Sequence, residues 1–109
     1  MRLIEKPITT PERKQLAQEI DGFFIKVVAD LEKKNLVAGA KLHVDEEKFL
    51  LEAGSRQENL FGGGYDFEEN RVTFDSIINC KPETNPSEEI IDQNIRAEFE
   101  KLVRYLLGL

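Results

Sequence analysis

The sequence predicts an α+β domain with two layers, in which helices cover one face of a mainly antiparallel, mixed sheet of about five strands. Two regions with hairpin-like alternation, residues 24–42 and 61–78, lie between stretches with helical spacing of apolar residues. The predicted order is therefore β-α-β-β-α-β-β-α. Because 109 residues is the usual size of one domain, we expect a single domain over residues 1–109.

The N-terminal part predicts a short strand followed by a helix. Residues 2–4 are expected to form the strand, and Thr9 and Glu12 match the capping-box pattern of a helix start. Apolar residues follow at helical spacing and Gly22 provides a stop, so we expect the helix over residues 10–21. This strand-helix-strand unit is compatible with a right-handed crossover that adds one parallel pair.

Residues 24–42 predict the first hairpin. Apolar residues occupy alternate positions on both sides of a polar break at 33–35. Registers that pair Leu31 with Leu36 or with Ala38 both keep the apolar residues on one face, whereas a slip of one residue mixes the faces. The sequence leaves these two registers open.

The middle of the chain predicts a short helix and a single further turn. Asp45 suits the N-cap of a helix that runs to Ala53, and Gly54 suits its end. Ser55 and Glu58 give a second capping-box match, which predicts one turn that ends near Leu60.

The C-terminal part predicts a second hairpin, a loop and a long helix. The hairpin strands are expected over 61–67 and 71–79, and the prolines and carboxylates of 81–91 indicate a loop. Asp92 suits the N-cap of the last helix. The apolar stripe of that helix consists of Ile95, Phe99, Leu102, Val103, Leu106 and Leu107.

The composition argues against several classes of partner and site. Fifteen Lys and Arg against 21 Asp and Glu give a formal net charge of −6, and no basic run is present, so we expect no nucleic-acid partner. No segment approaches the roughly 20 apolar residues of a membrane span, so we expect no membrane partner and a cytoplasmic location. With Cys80 as the only cysteine and His43 as the only histidine, we expect no disulfide, metal or other cofactor.

His43 and Asp45 are the candidate catalytic residues. His43 is the side chain expected to titrate near neutral pH, and in a strand Asp45 would point to the same face. Such a pair is typical of a general acid-base with an orienting carboxylate. Alternatively, Asp45 caps the following helix and His43 closes a strand, which explains Asp45 completely.

Two other polar features have structural explanations. Asp30 and Glu32 lie too far from His43 for a shared site, and cross-strand pairing with Lys41 on a solvated face is the favoured interpretation. The run 62–64 consists of three glycines without the Lys and Ser or Thr of a phosphate-binding loop. It predicts a strand whose backbone closely approaches another group.

The residue order from Leu42 to Asp45 and from Leu50 to Gly62 resembles that of small uncharacterised bacterial proteins, including cyanobacterial ones, classed as a domain of unknown function. The resemblance extends over nearly the whole chain. It implies no established activity and assigns no catalytic role. It marks polar positions that can share one pocket, which adds candidate ligand-binding residues to the first pair: Glu52, Ser55, Gln57 and Asn79.

Two functions follow from these observations. The favoured one is a small acidic module that binds a small molecule or another protein. The alternative is a small hydrolase or transferase in which His43 is the general acid-base and Asp45 orients it. The alternative requires His43 in a concave pocket close to Asp45, Glu52 or Gln57.

Overall fold

The computed structural model describes residues 1–109 and has an α+β fold, as predicted. Short 3-10 turns lie at Gln57–Asn59 and Ile77–Asn79. The main elements are β1 (Arg2–Ile4), α1 (Thr10–Ala17), β2 (Phe24–Asp30), β3 (Asn35–Ala38), α2 (His43–Glu52), β4 (Leu60–Asp66), β5 (Arg71–Thr73) and α3 (Gln93–Leu106).

The five strands form one open sheet in the order β1-β3-β2-β4-β5, and every neighbouring pair is antiparallel. The order of strands and helices along the chain agrees with the prediction. The predicted parallel pair of strands, however, does not form. The reason is that β3 returns from β2 and lies between β2 and β1. The crossover through α1 therefore leads to a strand two positions away in the sheet.

The register of the β2-β3 hairpin differs from both predicted registers. Ala29 pairs with Leu36, so Leu31 lies in the turn rather than in the ladder. The apolar residues still share one face, as predicted, because the shift is an even number of residues. Asp30 determines the turn, since its Oδ1 accepts hydrogen bonds of 2.9 Å from two backbone N–H groups within it.

Asp30 is therefore not the solvated, ion-paired residue that we expected. Its side chain is buried, and Oδ2 accepts a 2.7 Å hydrogen bond from the Ser55 hydroxyl. Lys41 lies beyond the end of β3, and its carbonyl accepts from Lys26. Glu32 remains exposed and accepts from Asn59. Alternation alone assigned Asp30 to a solvent-exposed face, because the residues that cover this face are distant in sequence.

Helices cover both faces of the sheet rather than one. On the first face, α1 and α3 enclose the larger core, which includes Val27 and Phe99. α2 and the turn 77–79 cover the second face. Its smaller core consists of Val28, Val37, Leu50, Leu60 and Ile78. The second cover is needed because Val28 and Val37 are apolar at positions that alternation assigns to solvent.

The two outer helices begin as predicted. Thr9 and Glu12 form a complete capping box at α1, and Asp92 accepts from two N–H groups at the start of α3. α1 ends at Ala17, earlier than the predicted residue 21. The buried Arg13 donates to the Leu107 and Gly108 carbonyls, so it caps the C-terminal end of α3.

The start of α2 differs from the prediction. The helix begins at His43, its N-cap residue is Leu42, and Asp45 lies in the first turn without a capping hydrogen bond. β3 ends at Ala38, and Gly39 with φ of 92° redirects the chain, so the helix begins before Asp45 is reached. Ser55 likewise does not cap the turn at 57–59, because its hydroxyl bonds to Asp30.

The glycines of β4 support the close-approach interpretation. A Cβ at Gly63 would lie 2.0 Å from the Thr73 carbonyl oxygen, and one at Gly62 would lie 2.8 Å from the Ser76 side chain. β5 is shorter than predicted because the chain turns at Asp75 and Ser76 into the 77–79 turn and leaves the ladder. Because the chain leaves the sheet after β5, part of the β4 edge has no neighbouring strand, and its backbone groups bond to a side chain instead.

Candidate functional site

The inner face of α2 holds two of the four ionisable groups whose pKa is clearly shifted in this protein. His43, Glu46 and Leu50 are three to four residues apart, so they share one helical face. Leu50 belongs to the smaller core, which places this face against the sheet. Ionisable side chains are therefore present in a layer that is otherwise apolar.

His43 is half-buried and bonds to the sheet. Its Nε2 lies 2.7 Å from the carbonyl oxygen of Gly63, so Nε2 carries the proton and donates. Burial lowers the pKa of His43 below its usual 6.5, and the nearby Lys26 acts in the same direction. The hydrogen bond to Gly63 and the charge of Asp75 oppose this shift. His43 is consequently a neutral donor at neutral pH that attaches α2 to β4.

The structure does not bring His43 and Asp45 together. Two positions on a helix point about 200° apart, so Asp45 faces away from the sheet and is exposed. No hydroxyl or thiol donates to His43, and five hollows on the surface are lined by other residues. His43 and Asp45 therefore do not form an acid-base pair with each other.

Glu46 is the most perturbed group, and the sequence argument missed it. Its side chain is completely buried; Oε2 accepts a 3.1 Å hydrogen bond from the Ala40 N–H, and Oε1 has no partner. Burial raises the pKa of Glu46 to about 9, against the opposing effects of the Ala40 hydrogen bond, Lys26 and the Met1 amino group. Glu46 is therefore a protonated acid at neutral pH.

A sequence signal for Glu46 existed. Leu50 is apolar and lies on the buried face of the helix. In a helix that includes residue 46, Glu46 lies one turn before Leu50 and therefore on the same face. The signal was lost because the helix was expected to begin at Asp45, which made Glu46 a residue of the exposed first turn. Perturbed carboxyl groups are concentrated at functional sites, so this part of the molecule is the best candidate site.

A hollow of about 360 Å³ lies beside Glu46, between α2 and the end of β3. We call it the α2 hollow. Ala40, the hydrogen-bond partner of Glu46, forms part of its wall. The side chains and backbone that line it are Met1, Glu19, Gly39, Ala40, Asp45, Lys48, Phe49 and Glu52.

The charge of the α2 hollow is predominantly negative. Its charged groups are three carboxylates, Glu19, Asp45 and Glu52, and two cations, the Lys48 side chain and the Met1 amino group. None of the three takes part in an ion pair. Phe49 adds a partly exposed aromatic surface. The hollow therefore offers free anionic acceptors next to an apolar side chain.

The other candidate ligand-binding residues lie apart from the α2 hollow and have structural partners. Asn79 is completely buried: its Oδ1 accepts from the Gly62 N–H at 2.7 Å, and its Nδ2 donates to the Gly62 carbonyl at 2.9 Å. It thus replaces a strand neighbour for β4 where β5 has departed. Ser55 bonds to Asp30, and Gln57 donates to Glu47 and to the Ile78 carbonyl.

Lys81 was not singled out from the sequence. It is buried, and its Nζ donates to the carbonyls of Gln57 at 3.0 Å and Ile78 at 3.2 Å. It also lies 4.7 Å from the centre of the Phe61 ring. Burial lowers the pKa of Lys81. With two carbonyl acceptors and an aromatic face, the lysine connects the two 3-10 turns.

No group of three or more His, Cys, Asp or Glu side chains has a geometry suited to a metal ion. No helix is both long enough and apolar enough to cross a membrane.

Comparison with known families gives a match over nearly the whole chain. Residues 2–106 match the family described as "Protein of unknown function (DUF5674)". The chain belongs to this family. The match covers nearly the whole chain, including both hairpins and all three helices, and agrees with the resemblance noted in the sequence. Searches of curated proteins and of solved structures found no match.

Proposed function

We propose that this domain is a ligand-binding module and that its α2 hollow takes a small ligand with positively charged amino groups. The observation that carries the proposal is the set of unpaired carboxylates, Glu19, Asp45 and Glu52, around a single hollow. Carboxylates that have no cation within the protein remain available to one outside it.

The spacing of the acids favours a ligand with more than one amino group. Asp45 and Glu52 lie in the first and last turns of α2, and seven residues of helix separate them by about 10 Å along the axis. Lys48 lies between them and disfavours a single cation at the centre. A chain with amino groups at its ends and methylene groups between them matches the two acids and contacts Phe49.

Glu46 supports the location. A buried carboxylic acid without a partner for Oε1 costs folding free energy, so its presence behind the wall of the hollow calls for an explanation other than stability. The Met1 amino group and Asp45, which lie at the hollow, are close enough to influence the pKa of Glu46. Charge placed in the hollow therefore acts on Glu46 too.

The test is isothermal titration calorimetry with spermidine at low ionic strength. The double variant Asp45→Asn, Glu52→Gln is expected to weaken binding at least about tenfold. The control double variant Glu68→Gln, Glu83→Gln removes the same charge at exposed positions outside the hollow and should change the Kd less than about twofold. Equal weakening by both double variants, or no saturable binding by the native protein, would overturn the proposal.

A further inference from the structure

A second hollow, of about 350 Å³, lies between α3 and the turn that joins β2 to β3. We call it the α3 hollow. It is lined by Lys34 from the turn and by Glu98, Lys101, Leu102 and Tyr105 from α3. The helix residues follow at intervals of three to four positions, so they share one face of α3. This hollow is separate from the α2 hollow, because α3 and α2 cover opposite faces of the sheet.

The charge of the α3 hollow is positive, although the formal net charge of the chain is −6. Lys34 and Lys101 are both exposed, and neither takes part in an ion pair. Glu98 is the only acid that lines the hollow. In four other hollows on the surface, the acids equal or outnumber the cations. An anion is therefore attracted to the α3 hollow more than to those four.

The turn holds Lys34 in a backbone conformation that lysine rarely adopts. Its φ of 60° lies in the left-handed region, which glycine and asparagine adopt more readily. The Lys34 N–H donates to the Asp30 carbonyl at 2.9 Å, and the Asp30 side chain accepts from the Ser55 hydroxyl, so the turn is firmly held. Strained residues of this kind are concentrated at functional sites. A contact between the Lys34 ammonium and a ligand in the hollow explains why a lysine occupies this position.

Tyr105 gives the hollow an accessible aromatic wall. The residue is 62% exposed, and Leu102 beside it is half-buried against the larger core. Flat rings stack favourably on the face of a tyrosine. The unpaired Glu98 carboxylate repels a simple anion, but it accepts hydrogen bonds from hydroxyl and amino groups. An occupant with a flat ring, an anionic group and hydrogen-bond donors therefore matches the side chains that line the hollow.

We propose that the α3 hollow binds a nucleoside monophosphate. The phosphate contacts the ammonium groups of Lys34 and Lys101, the base stacks on Tyr105, and hydroxyl or amino groups of the nucleoside donate to Glu98. A volume of about 350 Å³ is near the lower end for small-molecule sites, which suits one nucleotide rather than a longer chain. The proposal does not depend on the ligand of the α2 hollow.

NMR titration of the native protein at constant low ionic strength tests the proposal, with the backbone amides of α3 as reporters. The ligand is AMP, and three partial ligands each lack one feature. Adenosine lacks the phosphate, ribose 5-phosphate lacks the base, and phenyl phosphate lacks the sugar hydroxyls and the amino group. We expect saturable shifts around Lys101 and Tyr105 with AMP, and binding at least about fivefold weaker for each partial ligand.

Two pairs of variants test the contacts. Lys34→Asn removes the ammonium group and suits the left-handed backbone, so it should weaken AMP at least about fivefold without disturbing the turn. The matched control Lys33→Asn removes the same charge from the neighbouring residue outside the hollow and should change the Kd less than about twofold. Tyr105→Leu should weaken AMP at least about threefold, whereas Tyr105→Phe, which keeps the ring, should bind like the native protein.

Three results would overturn the proposal. The first is the absence of saturable shifts in α3 at up to about 10 mM AMP. The second is a partial ligand that binds as tightly as AMP, because the hollow would then not recognise base, phosphate and donors together. The third is equal weakening of AMP by Lys33→Asn and Lys34→Asn, which would show that general charge, rather than the α3 hollow, attracts the nucleotide.

Discussion

Replacing Glu46 with Gln is expected to change the pH dependence of folding more than any other single substitution of a carboxylate in this protein. Gln has nearly the shape of a protonated Glu and retains an oxygen that accepts from the Ala40 N–H. It does not titrate. The variant therefore removes the ionisation of Glu46 and preserves its packing.

The magnitude follows from the two pKa values. In the folded protein the pKa of Glu46 is about 9, and the unfolded carboxyl has the ordinary value of 4.5. Between these values the unfolded chain releases a proton that the folded protein keeps, so stability falls as pH rises. Each pH unit costs about 1.4 kcal/mol, which gives about 4 kcal/mol between pH 5 and pH 8.

The assay is urea denaturation of the native protein and of Glu46→Gln at several values from pH 5 to pH 8. Any effect of the introduced glutamine side chain that does not depend on pH shifts the whole curve of the variant by a constant amount. The quantity to compare is therefore the change in unfolding free energy between pH 5 and pH 8. We expect the native protein to lose about 4 kcal/mol more than the variant. Glu52→Gln, an exposed substitution on the same helix, is the control and should follow the native curve.

Parallel pH curves for native protein and Glu46→Gln would refute the reasoning. They would show that Glu46 ionises at an ordinary pKa in the folded state, and hence that its carboxyl is solvated rather than buried. The argument from Glu46 for the position of the candidate site would then fail, while the spermidine experiment would still test the carboxylates of the α2 hollow.

Three further substitutions test individual contacts. Asp45→Ala should change the unfolding free energy by less than about 0.5 kcal/mol in urea denaturation, because Asp45 is exposed and caps no helix; a loss of 1 kcal/mol or more, typical of a lost cap, would contradict the structure. Asn79→Ala should cost roughly 2–4 kcal/mol in the same assay, because it leaves the buried N–H and C=O of Gly62 without partners. His43→Gln should change in stability more favourably than the native protein when the pH falls from 7 to 5: burial lowers the pKa of His43, so below pH 6.5 the unfolded native chain takes up a proton before the folded protein does. Urea midpoints at pH 7 and pH 5 measure this difference, and an equal change in native protein and variant would show that His43 titrates normally.

The sequence by itself determined the local features of the fold. The Thr9 and Asp92 caps and the apolar stripe of α3 are properties of short segments, because capping and helical periodicity involve residues at most four apart. The face of the first hairpin was also determined, since alternation assigns Ala29 and Leu36 to one side. These features gave the α+β class and the order of elements.

Only the tertiary structure decided which polar groups are buried. Asp30 and Asn79 are structural because their partners, Ser55 and Gly62, are 25 and 17 residues away in the chain. Alternation within one segment carries no information about such partners.

The candidate site depended on tertiary structure in the same way. Of the residues expected there, Asp45 and Glu52 meet in the α2 hollow, while His43 bonds to β4. Glu46 acquires its raised pKa because α2 covers a second sheet face that the sequence pattern assigned to solvent. Burial is a property of what lies opposite a residue, and the chain brings that surface into place only when it folds.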